Sequence, residues 1–201
     1  MNKLLVFGDS MAYGKWDPEG GWVQRLRKFI DEKYNINKTG AVLVYNLGIP
    51  SELAINMVNR VQSELDARVS GPEDEATVIF STGLNDSCPN NRFSEKQTPE
   101  VDFKQAMSKM IEMALSKQCK VFVLGLTPSN PARSKGLLFT NEEIKRYDQF
   151  ISEVCNEKKV EKIAIFDELM KQNYPDLLVD SVHPNATGHQ MIFEIVSKVV
   201  N

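Results

Sequence analysis

Histidine and cysteine are scarce in this sequence: two His and three Cys in 201 residues. Cys88, Cys119 and Cys155 are odd in number and widely spaced, which argues against a disulfide framework and against a cysteine-rich zinc site. Reduced thiols in a cytoplasmic protein are the expectation. Basic charge is not in excess either. The 24 Lys+Arg are outnumbered by 27 Asp+Glu, for a formal net charge of −3, whereas a nucleic-acid partner calls for a basic face. No apolar run approaches the roughly 20 residues of a membrane-spanning helix, so no membrane insertion is expected. Leu4-Leu5-Val6-Phe7 before Gly8 is shorter than the about 7–15 apolar residues of a signal-peptide core. The scarcity of histidine leaves a reaction that needs an imidazole with two candidates, His183 and His189.

What is present suits one domain spanning 1–201. A length near 200 falls in the single-domain range and allows about 70% of the unfolded surface to be buried without disulfides or metal. Hydrophobic content of 42% and charged content of 25% are ordinary for a globular chain. Short apolar runs at 4–7, 42–47, 77–80, 121–126 and 163–166 read as strands buried on both faces, as in a parallel sheet. Amphipathic stretches lie between them. Helices are expected over 22–33; over 52–68 with Ser51 as N-cap; over 99–117 after Thr98-Pro99; over 141–158 with Thr140 and Glu143 at capping-box spacing; and over 185–200. Strands alternating with helices predict a three-layer α/β/α sandwich. If its five parallel strands follow the flavodoxin-like order 2-1-3-4-5, ligands bind at their carboxyl ends near the first strand.

The residues that follow the first three strands carry chemistry. They are Gly8-Asp9-Ser10, Gly48-Ile49-Pro50-Ser51 and Gly83-Leu84-Asn85-Asp86. Near the other end of the chain stands Asp180-Ser181-Val182-His183-Pro184. A serine hydroxyl needs an adjacent base to act as a nucleophile. His183 can supply it, with Asp180 three residues away fixing the imidazole tautomer. Backbone N–H groups of Ser10 and Gly48 and the Asn85 amide could stabilise an oxyanion, each donor being worth about 10²–10³ in rate.

These four blocks, in this order, resemble those of the SGNH, or GDSL-type, hydrolases, and the resemblance runs from residue 8 to residue 184. It implies Ser10 as nucleophile, His183 as base and Asp180 as its partner. It also implies an oxyanion hole of Ser10, Gly48 and Asn85, with Asp9 holding the nucleophile turn. No cofactor and no metal are implied. Met11 stands where the family has leucine, a swap of similar volume that packing tolerates. The expected reaction is serine-esterase cleavage of a small-molecule carboxylic ester, a thioester or an O-acetyl sugar through an acyl-enzyme. An acyltransferase using the same site, or a non-catalytic ligand-binding module of the same fold, are the alternatives. Activity should fall below about pH 6, because a protonated imidazole accepts no proton.

Other residues have plainer readings. His189, without a partner at useful spacing, is read as a packing or surface residue. Cys88 is read as an exposed or half-buried thiol at the pocket rim, Trp22 as core, and Met107, Met110 and Met113 as core filling. Loops 11–21, 86–98 and 127–139 should surround the pocket. Trp16, Arg92, Phe93 and Arg133 are candidates to line it, against aromatic, sugar or anionic groups. A P-loop reading fails because Trp16 replaces the required Ser/Thr. The G-x-S-x-G elbow fails because Ala12 holds its last position.

Overall fold

The computed structural model describes residues 2–37, 40–69, 71, 75–89, 97–134, 136 and 138–200; Arg92 and Phe93 lie outside the described residues. Strands β1 (Asn2–Gly8), β2 (Val42–Gly48), β3 (Ala76–Ser81), β4 (Lys120–Leu124) and β5 (Glu161–Ile163) form one parallel sheet in the order β2-β1-β3-β4-β5. This is the flavodoxin-like order the sequence pattern predicts. The register sets Gly8 beside Gly48 on one side and Ser81 on the other. The turns leaving β1, β2 and β3 therefore start side by side at one edge of the sheet.

Helices α1 (Ser10–Tyr13), α2 (Gly21–Ile30), α3 (Ala54–Arg68), α4 (Glu100–Ser116), α5 (Asn141–Lys158), α6 (Phe166–Lys171) and α7 (Ala186–Val199) cover the sheet. α2 packs on α7, while α3, α4 and α5 pack in sequence, completing the two outer layers. Central strands carry the core from both faces: Leu5, Val6 and Phe7 of β1, Val78, Ile79 and Phe80 of β3 and Val123 of β4 are fully buried. Each such side chain contributes about 1.5–3 kcal/mol of burial free energy. β2, an edge strand, is only half-buried along its length. Trp22 lies wholly inside, as do Met107 and Met110, and Met113 packs against the core from its margin. Among the described residues no helix is long and apolar enough to cross a membrane.

Several elements differ from the sequence pattern. The apolar run at 163–166 is not a strand throughout: β5 ends at Ile163, and Phe166 already opens α6 with Asp167 and Glu168 in its first turn. Ile165 and Phe166 are still buried, so the apolar run marks core rather than strand. Ser51 does not cap α3. It has a left-handed backbone, φ 68°, and the helix begins at Ala54, whose N–H donates to the Asp86 carboxylate at 3.1 Å. Thr98 likewise leaves the cap of α4 to Pro99 and donates its hydroxyl to Asp86 Oδ1 at 2.7 Å. A carboxylate distant in sequence therefore takes the place of a local cap at α3 and engages the Thr98 hydroxyl that precedes α4. The Thr140 cap is as expected, its hydroxyl accepting from Glu143 N–H. α2 ends at Ile30 and passes into a π-helical turn over Asp31–Ile36. Cys88 is fully buried, not at a solvent rim, because it sits inside the turn that follows Asp86.

Candidate active site

Ser10 opens α1, one residue after β1 has delivered the chain to the sheet edge. Asp9 sits in the cap position of that short helix and accepts the Met11 N–H on Oδ1 at 2.8 Å. Its other oxygen accepts from Asn85 Nδ2 at 3.1 Å. One buried carboxylate thus ties the turn after β1 to the turn after β3. Burial in this pocket pushes the Asp9 carboxyl up to about 7, and burial also raises Asp86 to about 6.

Gly48 is constrained by a close approach. A Cβ placed there would lie 2.5 Å from Tyr13 N, a backbone atom with no freedom to retreat. The end of β2 is stitched to α1 by a residue the sequence reading passed over. Asn46 donates to Ala12 O at 2.8 Å and accepts the Gly48 N–H on Oδ1 at 3.0 Å. The N–H expected to face an oxyanion is therefore held by Asn46. The Asn85 amide is likewise engaged, donating to Asp9 and to Glu52 O at 3.3 Å. Gly48→Ala should cost about 1–3 kcal/mol by overpacking, read as a lower urea midpoint at constant m. A midpoint equal to the parent's would show that α1 yields without strain.

The remaining two residues come from the loop between Tyr174 and α7. A backbone bridge between Leu178 and Pro184 closes this loop, and Val179 N–H donates to His183 O at 2.8 Å. Within it Asp180 Oδ1 accepts the Val182 and His183 N–H groups at 3.0 and 2.9 Å. The three-residue spacing thus makes an Asx-type turn that aims the carboxylate back at the ring. His183 Nδ1 lies 2.7 Å from Asp180 Oδ2 and 2.9 Å from Oδ1. On the other side of the ring, Nε2 lies 2.7 Å from Ser10 Oγ. Burial alone would raise the Asp180 carboxyl, but the His183 ring and the two N–H groups outweigh it. They hold the group well below the usual carboxylate range. An ionised carboxylate only accepts, so Nδ1 carries the proton and Nε2 offers its lone pair to the Ser10 hydroxyl.

The geometry brings together Ser10, His183, Asp180, Asp9 and Asn85. Three of them form a continuous serine–imidazole–carboxylate chain. A family model described as the GDSL-like lipase/acylhydrolase family matches residues 6–191. The chain belongs to that family. By that membership it is an ester-cleaving hydrolase.

The solved structures it resembles share the fold. An acetyl xylan esterase, AlAXEase, has a TM-score of 0.78 at 18% identity, with 99% of this chain and 100% of that chain covered. The acetylxylan esterase Axe2 of Geobacillus stearothermophilus has a TM-score of 0.76 at 17% identity, covering 98% and 92%. A lipase/acylhydrolase of Enterococcus faecalis has a TM-score of 0.76 at 20% identity, covering 100% and 95%. No curated protein sequence matches the chain.

Around this GDSL-type site, the residues picked out for the pocket divide. Trp16 is half exposed, and its indole reaches Asp180. A recess of about 440 Å³ runs along Tyr13, Gly14, Lys15, Trp16, Asp17 and Pro18. Arg133 instead donates to Leu178 O and braces the Asp180 loop from outside. His189 is fully buried on α7, its Nε2 3.4 Å from Lys15 O. The larger groove, about 780 Å³, is lined by Lys3, Phe29, Tyr34 and Lys120 among others. It lies at the starting ends of the strands, away from Ser10.

Proposed function

We propose that this GDSL-family hydrolase is a serine esterase acting on small-molecule esters of short acyl groups, with O-acetyl sugars as the favoured class. The Ser10 Oγ–His183 Nε2 contact of 2.7 Å, in a ring whose far nitrogen is held by Asp180, carries this reading. His183 Nε2 takes the Ser10 proton as Oγ attacks the ester carbonyl. The Ser10 and Gly48 N–H groups and the Asn85 amide are the donors assigned to the oxyanion, the Gly48 N–H exchanging Asn46 and the Asn85 amide exchanging Glu52 O for it. Gly48 also lets α1 approach β2, since a Cβ there would meet Tyr13 N. Collapse of the intermediate expels the alcohol, which receives its proton from His183, and leaves the acyl group on Ser10. Water, deprotonated by His183, then attacks the acyl carbon, and the acid departs as Ser10 regains its proton.

Two features support the short-acyl preference. The recess along the loop that follows Ser10 is rimmed by Tyr13, Lys15 and Trp16, two exposed aromatic rings and a cation, surfaces suited to a polar alcohol such as a sugar. The AlAXEase and Axe2 structures with this fold are acetyl xylan esterases by name. The test is an ester panel graded by acyl length, with acetylated sugars and acyl-CoA alongside, read by rapid-quench mass spectrometry of Ser10. Acetyl esters should turn over fastest and leave an acetyl group on Ser10. A panel in which only long-chain esters react would overturn the substrate class, and one without any turnover would overturn the reaction.

A further inference from the structure

Trp16 occupies an improbable place for a half-exposed aromatic. Its backbone is left-handed, φ 68°, a conformation that costs a side-chain-bearing residue roughly 1–2 kcal/mol. The neighbours on both sides are fixed. Lys15 N–H donates to Ser10 O at 3.1 Å. Asp17, wholly buried, accepts from Gly21 N–H at 3.0 Å and Glu19 N–H at 3.1 Å and pairs with the Arg25 guanidinium. His189 backs the same loop at Lys15 O. The indole is thereby turned toward the other end of the chain. Its Nε1–H donates to Asp180 Oδ2 at 2.9 Å.

This contact completes a set. Oδ1 of Asp180 holds two backbone N–H groups, and Oδ2 receives the imidazole Nδ1 at 2.7 Å. The Trp16 indole supplies the remaining donor to Oδ2. Asp180 is only partly buried, so without the indole that oxygen faces water. A carboxylate with all its donors fixed keeps its plane, and the plane sets the direction of the ring it holds. The loop that carries Trp16 starts at the nucleophile itself, so one segment fixes Ser10 at its beginning and the third member of the triad six residues later.

We propose that Trp16 is a positioning residue of the triad, its indole N–H orienting the Asp180 carboxylate and through it His183. The inference rests on the esterase reading for its kinetic part only. It is tested on the whole protein with two variants and one spectrum. Trp16→Phe keeps a ring and removes the N–H; Trp16→Ala removes both. Losing one hydrogen bond to a charged group should lower kcat for p-nitrophenyl acetate about five- to tenfold. The loss should be nearly equal in both variants, with KM little changed. If Trp16→Phe retains the parent kcat, or if only KM rises, the indole is a substrate contact or a scaffold and the proposal is overturned.

The spectrum is independent of turnover. With ¹⁵N-tryptophan labelling, the chain's two indole signals, Trp16 and Trp22, are distinguished by the loss of one in Trp16→Phe. The Trp16 N–H should shift when His183 gains its proton and should lose that response in Asp180→Asn. A Trp16 signal indifferent to pH and to Asp180→Asn removes the hydrogen bond from solution and the proposal with it. If the parent protein neither turns over esters nor reacts at Ser10 while the indole still responds, the esterase reading fails and the indole–carboxylate bond stands.

Discussion

Ser10→Ala should abolish ester turnover, lowering kcat by about 10⁴–10⁶, and should end covalent labelling by a fluorophosphonate probe. The size of the effect follows from the chain of contacts. Ser10 Oγ is the atom His183 Nε2 addresses at 2.7 Å, and among the described residues no other hydroxyl bonds to that nitrogen. What survives substitution is binding and oxyanion stabilisation, which alone give modest rates. The fold should be nearly indifferent. Removing one hydroxyl leaves one imidazole nitrogen without its partner, at a cost of about 1–3 kcal/mol if it stays dry, and water at the site mouth reduces that. Labelling that persists at full rate in Ser10→Ala, measured by intact-protein mass, would place the nucleophile elsewhere.

The two histidines should part completely. His183→Ala should match Ser10→Ala in lost turnover, because the triad acts as a unit and its losses do not add. His189→Gln should leave turnover largely intact and show itself in stability instead. His189 is fully buried, its Nδ1 has no hydrogen-bond partner among the described residues, and burial lowers its pKa to about 4. The unfolded ring titrates near 6.5. Its folded pKa is thus depressed, so its stabilising contribution is complete above about pH 6.5 and is lost as pH falls toward 4. The full excursion is about 3 kcal/mol.

Asp9 and Asp86 act in the opposite sense. Their folded pKa values are raised to about 7 and about 6, so each contributes stability at low pH that is lost as pH rises through that window. These opposed terms flatten the parent's own profile. The informative quantity is therefore the urea-unfolding difference between the parent and His189→Gln at pH 7 and pH 4.5. The parent's advantage should shrink at the lower pH. A difference that is the same at both values would mean that His189 is not held neutral.

Much of this is legible in the sequence. The parallel sheet follows from strands and helices alternating along the chain, and the flavodoxin-like order β2-β1-β3-β4-β5 places the turns at Ser10, Gly48 and Asn85 together. Ser10, Asp180 and His183 were readable because the chemistry demands three residue types and a short acid–base spacing. What escaped depends on contacts between distant segments. Nothing local marks Asn46 as the clamp between β2 and α1, since an asparagine at a strand end is ordinary turn chemistry. Nothing local marks Asp86 either, since its capping of α3 and its bond to Thr98 need the fold to bring 54, 86 and 98 together. The strand reading of 163–166 failed because a short apolar run reports burial and not the period of the backbone. Trp16 was weighed as a substrate contact, and the direction of its indole is set by a left-handed residue that sequence patterns do not announce.

The hydrogen bond between Ser10 and His183 joins positions 173 residues apart. The central strand leads directly to one partner, while the other waits on a loop held in place by α7 and the Leu178–Pro184 bridge. The site is complete only when both segments are in place. A form with its sheet and helices assembled but the Asp180–His183 loop out of place would keep most of its circular dichroism and be chemically silent. Turnover in this protein is consequently a stricter gauge of completed folding than any probe of the sheet, and a refolding preparation can be judged by the gap between the two.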